Sequence, residues 1–177
     1  TSAERCYVKN GYLNLIFVYK PDASPYKYLC SAIQTRKEFL FGKWEARLKT
    51  SNVPGVLNSM FTIDWDNTET GRSGSDGTKQ EIDIEFLTKY NTKVHYAVHA
   101  TGRKSFQTNP DIDTVNHSDG FHVYAINITP EYIEWSVDGS VLKKYIYSKG
   151  DIRITSPYQL KLNSWSSTKW IEGPPVA

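Results

Sequence analysis

The chain contains 177 residues with a formal net charge of +2, 14% aromatic residues, 12 tyrosines, 5 tryptophans and a single methionine. This length suits one domain with a sizeable core, and the abundance of aromatic and β-branched residues favours strands over long helices. The balanced charge, without a Lys/Arg cluster interleaved with aromatic residues, argues against a nucleic-acid or anionic-membrane partner, and no apolar run approaches the roughly 20 residues of a membrane span.

Short runs of strand-forming residues alternate with turn residues along the chain, at the spacing expected of a β-sandwich. In chain order, we predict strands over residues 12–18, 29–35, 42–49, 56–63, 81–87, 93–100, 121–128, 132–137, 140–147 and 158–164. This series predicts an all-β fold with two packed sheets.

Two local patterns orient parts of these runs. In the third run, Trp44, Ala46 and Leu48 alternate with charged residues, which predicts that the three face the core while the charged residues face water. Asp138-Gly139 separates two later runs and is the kind of pair that supplies positive φ at a tight two-residue turn. Those two runs are therefore predicted to form a hairpin.

The two cysteines, Cys6 and Cys30, have no spacing typical of a metal site. They form either one disulfide or two buried free thiols, and the sequence leaves both alternatives open.

The sequence QEIDIEFL places Glu81, Asp83 and Glu85 on one side of a strand, with Ile82 and Ile84 on the other. One interpretation is an ordinary surface strand, with the acids in water and the isoleucines in the core. However, three carboxylates at neighbour distances of about 7 Å repel one another. No basic residue is interleaved on the strand to relieve that repulsion.

The alternative interpretation uses this repulsion for catalysis. Closely spaced acids cannot all ionise easily, so one is held protonated beside a charged one, which provides a general acid next to a nucleophile. A retaining glycosidase needs its two carboxyl groups roughly 5 to 5.5 Å apart, whereas a strand rise near 3.3 Å separates the Cα atoms of Glu81 and Glu85 by about 13 Å. The two side chains must therefore lean toward each other over Asp83. The preceding residues 64–79, rich in Gly, Ser, Asp and Asn, are predicted to form an exposed loop that borders the site.

Together with GKWEARLKT, GVLNSMFT, TKVHYAVHATG, GFHVYAINITPEYIEWSVDG and LNSWSS, this strand resembles glycoside hydrolase family 16, in particular its lichenase-like endo-β-1,3-1,4-glucanases. The resemblance runs in order from about residue 8 to residue 170. It implies a concanavalin A-like β-jelly roll of two curved antiparallel sheets, with a substrate cleft across the concave one. The unbulged E-x-D-x-E spacing resembles lichenases and xyloglucan-active relatives, whereas many laminarinase-like relatives insert one residue.

Carried over by matching positions, the resemblance implies that Glu81 is the nucleophile, Glu85 the general acid/base and Asp83 the supporting carboxylate. It implies a polysaccharide substrate and no required cofactor. The structural calcium ion of many relatives is held by end strands that have no counterpart here, so we assign no metal ligand. We interpret residues 1–177 as a single catalytic domain without the family's first and last strands, and we expect a secreted, extracellular monomer.

Four aromatic residues and one histidine are the candidates for contacting the sugar. The resemblance places Phe61, Trp165 and Trp170 in cleft-shaping segments, and Trp65 lies in the loop before the acidic strand. An indole face suits the C–H face of a sugar ring, although Trp165 has the alternative of closing the core. His99 is a candidate for touching sugar hydroxyls or the acid/base, with a hydrogen-bonded structural histidine as the alternative.

Several positions depart from the lichenase-like pattern. Lys79 and Gln80 stand where a Trp-Asp pair normally precedes the first glutamate, which removes an aromatic platform. The family's Glu, Arg, Asn and Tyr at four further cleft positions are replaced by Ala32, Gln34, Ala97 and His99. These changes leave the substrate open.

The preferred interpretation is a retaining endo-acting hydrolase of a β-glucan, with β-1,3-1,4-glucan as the first candidate. The alternatives are a transglycosylase, a hydrolase of β-1,3-glucan, xyloglucan or algal galactan, and a glycan-binding jelly roll without catalysis. The three intact acids argue against the last alternative, because a lectin gains nothing from crowded carboxylates.

Overall fold

The computed structural model describes residues 3–25, 27–64, 80–88, 92–100, 106–107, 111–112, 115–148 and 153–167. Within these ranges the regular structure consists of strands and one 3-10 turn at Ala3–Arg5. None of the described residues belongs to a helix of the length and apolarity that crossing a membrane requires. The prediction of an all-β fold is confirmed.

The strands of the described part, in chain order, are β1 (Cys6–Lys9), β2 (Tyr12–Leu15), β3 (Val18–Tyr19), β4 (Tyr28–Leu29), β5 (Ser31–Gln34), β6 (Gly42–Leu48), β7 (Leu57–Ile63), β8 (Gln80–Leu87), β9 (Lys93–Ala100), β10 (Phe106–Gln107), β11 (Asp111–Ile112), β12 (His122–Ile128), β13 (Tyr132–Val137), β14 (Ser140–Ile146) and β15 (Gln159–Trp165).

These strands pair into two main antiparallel sheets. The larger has the order β10-β9-β8-β7-β15-β5, with β11 also paired to β9, and the smaller has the order β14-β13-β12-β6. Two hairpins, β1-β2 and β3-β4, complete the pairing among the described strands. The predicted two-sheet architecture is confirmed, and β8 lies in the interior of the larger sheet.

The main core consists of apolar side chains from both main sheets. Ile82, Ile84 and Phe86 of β8 join Ile133 and the fully buried Trp135 of β13 in a single cluster. Removing this apolar surface from water is the main term that stabilises such a sandwich. The acidic strand is therefore anchored by its apolar side.

The predicted orientation of β6 is confirmed. Trp44, Ala46 and Leu48 pack against the core, and the residues between them are exposed. The three are only partly buried because β6 is an edge strand of the smaller sheet. The Trp44 indole donates a hydrogen bond of 3.3 Å to the Tyr158 hydroxyl.

Tight turns follow the Asx-Gly signal at two places. The predicted turn between β13 and β14 is confirmed, with φ of 49° at Asp138 and 81° at Gly139. A second such turn, with φ of 53° at Asn10 and 77° at Gly11, joins β1 to β2. The sequence analysis missed this hairpin although Asn-Gly is a strong signal for it.

The two cysteines are both free thiols. Of the two alternatives left open by the sequence, the structure therefore has unpaired Cys6 and Cys30. Burial raises the pKa of the Cys30 thiol, which opposes formation of the reactive thiolate.

Candidate active site

The three acids of β8 lie on the sheet face opposite the core. Glu81, Asp83 and Glu85 occupy alternate positions, while Ile82 and Ile84 between them are fully buried in the core. This arrangement follows from the period-two geometry of a strand, which sends neighbouring side chains to opposite faces. The predicted division of β8 into an acidic side and an apolar side is confirmed.

The acidic face of β8 is nevertheless not a solvated surface. Asp83 is 4% exposed, the Glu85 side chain is 16% exposed and Glu81 is half-buried. Burying carboxylates is costly unless they gain hydrogen bonds or charged partners. The interpretation of β8 as an ordinary surface strand is therefore wrong for its acids.

Two histidines of β9 contact these acids. His95 lies opposite Glu85 in the strand register, and its Nδ1 is 3.1 Å from Glu85 Oε2. His99 lies opposite Glu81 and brings its Nε2 to 3.6 Å from Asp83 Oδ2. Basic groups thus reach the acids from the neighbouring strand, although the acidic strand itself carries none.

The structure therefore places the predicted residue His99 beside the acids and adds His95, which the sequence analysis missed. The sequence does contain a signal for His95: the two histidines are four residues apart in HYAVHA, so on a strand both face the same side. The buried Ala97 lies between them, opposite Asp83.

The other neighbour of the acidic strand, β7, contributes an aromatic ring and a hydroxyl. Phe61 lies opposite Asp83, where it is half-buried, and Ser59 lies opposite Glu85. The predicted cleft residue Phe61 is thus brought to the acidic face.

Strand β15 extends the same face with polar residues that the sequence analysis did not name. Asn163 pairs with Ser59, and Lys161 pairs with Phe61. Ser59 Oγ and Asn163 Oδ1 are buried without a hydrogen-bond partner in the described ranges. Buried polar atoms of this kind are costly to leave unsatisfied.

Two of the positions that depart from the family pattern lie at the sheet edge. Ala32 and Gln34 of β5 are exposed and pair with Asn163 and Lys161 of β15. They extend the acidic face away from β8. Their small or neutral side chains replace charged groups that the resemblance implies at this edge.

Trp165 neither joins the main core nor stands open to solvent. It is half-buried, pairs with Leu57 and packs against Leu57 and Leu87 in a second apolar cluster. Leu87 follows Glu85 by two residues, so this cluster continues the acidic face beyond the acids. The other two tryptophan candidates, Trp65 and Trp170, lie outside the described residues.

Hydrogen bonds of Gln80 hold the beginning of the acidic strand in place. Its backbone N–H donates to Asp64 Oδ1 at 2.5 Å, and its side-chain amide exchanges two hydrogen bonds of 2.9 Å with Thr155. Gln80 therefore has a structural role here. Lys79, the other departure before the first glutamate, lies outside the described residues.

No group of three or more His, Cys, Asp or Glu side chains in the described ranges is arranged to hold a metal ion. The arrangement instead suits chemistry by carboxyl groups. Two glutamates stand on either side of a buried aspartate on one strand face, and imidazoles contact the aspartate and the second glutamate. Such a set can provide a nucleophile and a general acid in one cleft.

Comparison with known proteins gives a consistent family match. Residues 3–175 match the family described as Glycosyl hydrolases family 16. The β-glucanase of Paenibacillus macerans is 33% identical over 143 residues, which cover 80% of this chain and 55% of the relative. That of Bacillus subtilis (strain 168) is 29% identical over 143 residues, covering 80% of this chain and 54% of the relative. The chain thus spans about half the length of the curated relatives that it matches.

Solved structures extend the likeness to the fold. A β-1,3-1,4-glucanase (lichenase) derived from a mouse hindgut metagenome has a TM-score of 0.77 and 29% identity, and the match covers 97% of this chain and 76% of that chain. The laminarinase catalytic domain from Thermotoga maritima MSB8 has a TM-score of 0.81 at 24% identity, covering 99% of this chain and 74% of that one. The predicted jelly roll is confirmed by these structures.

Proposed function

Because the chain belongs to glycosyl hydrolases family 16, we propose that it is an endo-acting β-glucan hydrolase that retains the anomeric configuration. Glu81 is the nucleophile, Glu85 the general acid/base and Asp83 the carboxylate that supports them. The observation that carries this proposal is that these acids share one sheet face, where Asp83 is buried, Glu81 and Glu85 are partly buried, and histidines contact Asp83 and Glu85. An ordinary surface strand keeps its carboxylates in water, because burying them costs free energy.

The proposed reaction has two steps on one sheet face. Glu81 attacks the anomeric carbon while Glu85 gives its proton to the leaving glycosidic oxygen, so the C–O bond breaks and a glycosyl-enzyme ester forms. Glu85, now ionised, takes a proton from water, and the resulting hydroxide displaces Glu81. Both carboxyl groups end in their starting protonation states, and the sugar keeps its configuration.

The strand geometry sets a requirement for this mechanism. At a rise near 3.3 Å per residue, the Cα atoms of Glu81 and Glu85 are about 13 Å apart, so the mechanism requires their side chains to lean toward each other over Asp83. Asp83 is buried beneath them and lies beside His99. A carboxyl group held at this position can orient the two glutamates by hydrogen bonding.

The substrate that we propose is β-1,3-1,4-glucan. Support comes from relatives that are named β-glucanases and from a structural neighbour that is named a lichenase. On the acidic face, Phe61 offers an apolar surface, and the half-buried side chains of Asn163 and His99 offer hydrogen bonds to sugar hydroxyls. Trp165, Trp65 and Trp170 remain proposed aromatic contacts.

The test is release of reducing ends from barley β-glucan, laminarin, xyloglucan and an algal galactan. We expect the highest rate on barley β-glucan and a loss to background in Glu81→Gln. The matched control is Glu45→Gln, which alters an exposed glutamate on the other sheet that pairs with Lys43 at 2.8 Å. Undiminished activity in Glu81→Gln would reject the assignment of the nucleophile.

Two further measurements separate the remaining alternatives. Proton NMR of the first product should show the β anomer, because double displacement retains configuration. Products longer than the substrate would instead identify transglycosylation, in which an acceptor sugar replaces water. Binding to at least one of the four polysaccharides, with no release of reducing ends from any of them, would identify a glycan-binding protein.

A further inference from the structure

One contact on the acidic face takes no part in the two proposed steps. The imidazole of His95 reaches across from β9 and meets the carboxyl group of Glu85, with Nδ1 at 3.1 Å from Oε2. We propose that His95 is a positioning residue for Glu85: it donates its Nδ1–H to Oε2, so that the proton delivered to the leaving sugar is carried by Oε1. This inference rests on the proposed function of Glu85 as acid/base.

The contact is built into the sheet. His95 and Glu85 are directly paired in the register of β8 and β9, so their Cβ atoms are neighbours on one face. The two side chains are only 9% and 16% exposed, which limits competition from water. A hydrogen bond between groups held this way fixes the rotation of the carboxyl plane at a small entropic cost.

The hydrogen bond from His95 to Oε2 determines which oxygen of Glu85 carries the transferable proton. Oε2 accepts from His95 and is therefore a poor place for the transferable proton, which resides on Oε1. In the first step this proton passes from Oε1 to the glycosidic oxygen, and in the second step Oε1 takes a proton from water. His95 keeps its Nδ1 proton through both steps. The transferred protons therefore pass only between Glu85, the glycosidic oxygen and water.

The sheet face around this pair carries charges of both signs. In the described ranges its titratable and charged residues are Glu81 and Asp83 on β8, Lys93 and His99 on β9 and, two strands away on β15, Lys161; the residue of β7 that faces Glu85 is the uncharged Ser59.

Two variants separate a positioning role from simple packing. His95→Leu fills a similar space without a donor, and His95→Asn keeps an N–H close to the place of Nδ1. On barley β-glucan we expect His95→Leu to lower kcat about ten- to a hundredfold with little change in KM. His95→Asn should recover most of the rate.

The chain offers a matched control in a second histidine–carboxylate pair. His122 lies on the smaller sheet, with Nδ1 at 2.7 Å from Asp138 Oδ2. His122→Asn should leave both kcat and KM unchanged. A His95→Leu enzyme with the wild-type kcat would overturn the proposal, and so would a His95→Asn enzyme no better than His95→Leu.

A measurement without substrate keeps this inference separate from the proposed function. In ¹⁵N-histidine NMR of the wild-type chain near neutral pH, we expect His95 to carry a proton on Nδ1 and its ¹⁵N shifts to change in Glu85→Gln. A His95 protonated on Nε2 alone would overturn the positioning role. Absence of activity on all four polysaccharides, together with an Nδ1–H signal that responds to Glu85→Gln, would reject the proposed function and leave the contact established.

Discussion

The apolar side of the acidic strand can be tested by Ile84→Ala. Ile84 lies between Asp83 and Glu85 on β8, is 0% exposed and belongs to the main core cluster. Truncating a buried isoleucine to alanine costs about 2–5 kcal/mol, from lost transfer free energy plus the residual cavity. Because β8 is hydrogen-bonded on both sides, by β7 and β9, it has little freedom to collapse into that cavity. We therefore expect about 3–4 kcal/mol, above the lower end of the range.

The assay is urea and thermal denaturation of wild-type and variant chains. A loss of about 3–4 kcal/mol corresponds to a fall in melting temperature of about 10 °C for a domain of this size. The matched control is Ile146→Ala on β14, where the isoleucine is 64% exposed and the expected change stays within about 0.5 kcal/mol. Equal losses in the two variants would contradict the placement of Ile84 in the core. They would instead fit a strand shifted by one residue, which turns Ile84 to the cleft and the acids to the core.

Three further predictions concern the turn, the pH dependence and the thiols. Gly139→Ala should lower the free energy of unfolding by about 1 kcal/mol in urea denaturation, because Gly139 has a φ of 81°. Asp138→Asn should lower the melting temperature more at about pH 5.5 than at about pH 8.5: the hydrogen bond that His122 donates to Asp138 raises the pKa of His122 above 6.5, so the stabilisation is present below 6.5 and lost as the pH rises through the raised pKa. Thiol titration of the denatured, unreduced chain should count two thiols, Cys6 and Cys30.

Each of these three predictions can be contradicted by a specific result. The control for the turn is Gly120→Ala, since Gly120 lies outside the left-handed region and an added Cβ meets only the His122 side chain at 3.9 Å; equal losses at Gly120 and Gly139 would contradict the turn argument. A melting difference for Asp138→Asn that is independent of pH would show that the His122 charge does not contribute. A count of zero thiols would show that Cys6 and Cys30 are paired.

Local patterns predicted much of the strand layout. The bounds of β9 and β13 agree with the predicted runs 93–100 and 132–137, and the alternation in β6 and β8 gave the correct faces. These features depend on a backbone repeat of two residues, which any short stretch of sequence displays.

The errors arose where pairing over long distances decides the structure. Strands β10 and β11 contain two residues each, too few to show a repeat, and they exist because both pair with β9. The predicted run 12–18 divides into β2 and β3 because its two halves pair with different strands, β1 and β4. No local propensity distinguishes these outcomes.

The alternation in QEIDIEFL is enough to place Glu81, Asp83 and Glu85 on one strand face with isoleucines on the other, because strand geometry is local. The surroundings of each acid depend on how the strands pair. His95 is ten residues from Glu85 along the chain, yet it contacts Glu85 because β8 and β9 pair in one register. That register depends on which side chains the whole sheet buries, a property of the packed core that no single segment contains.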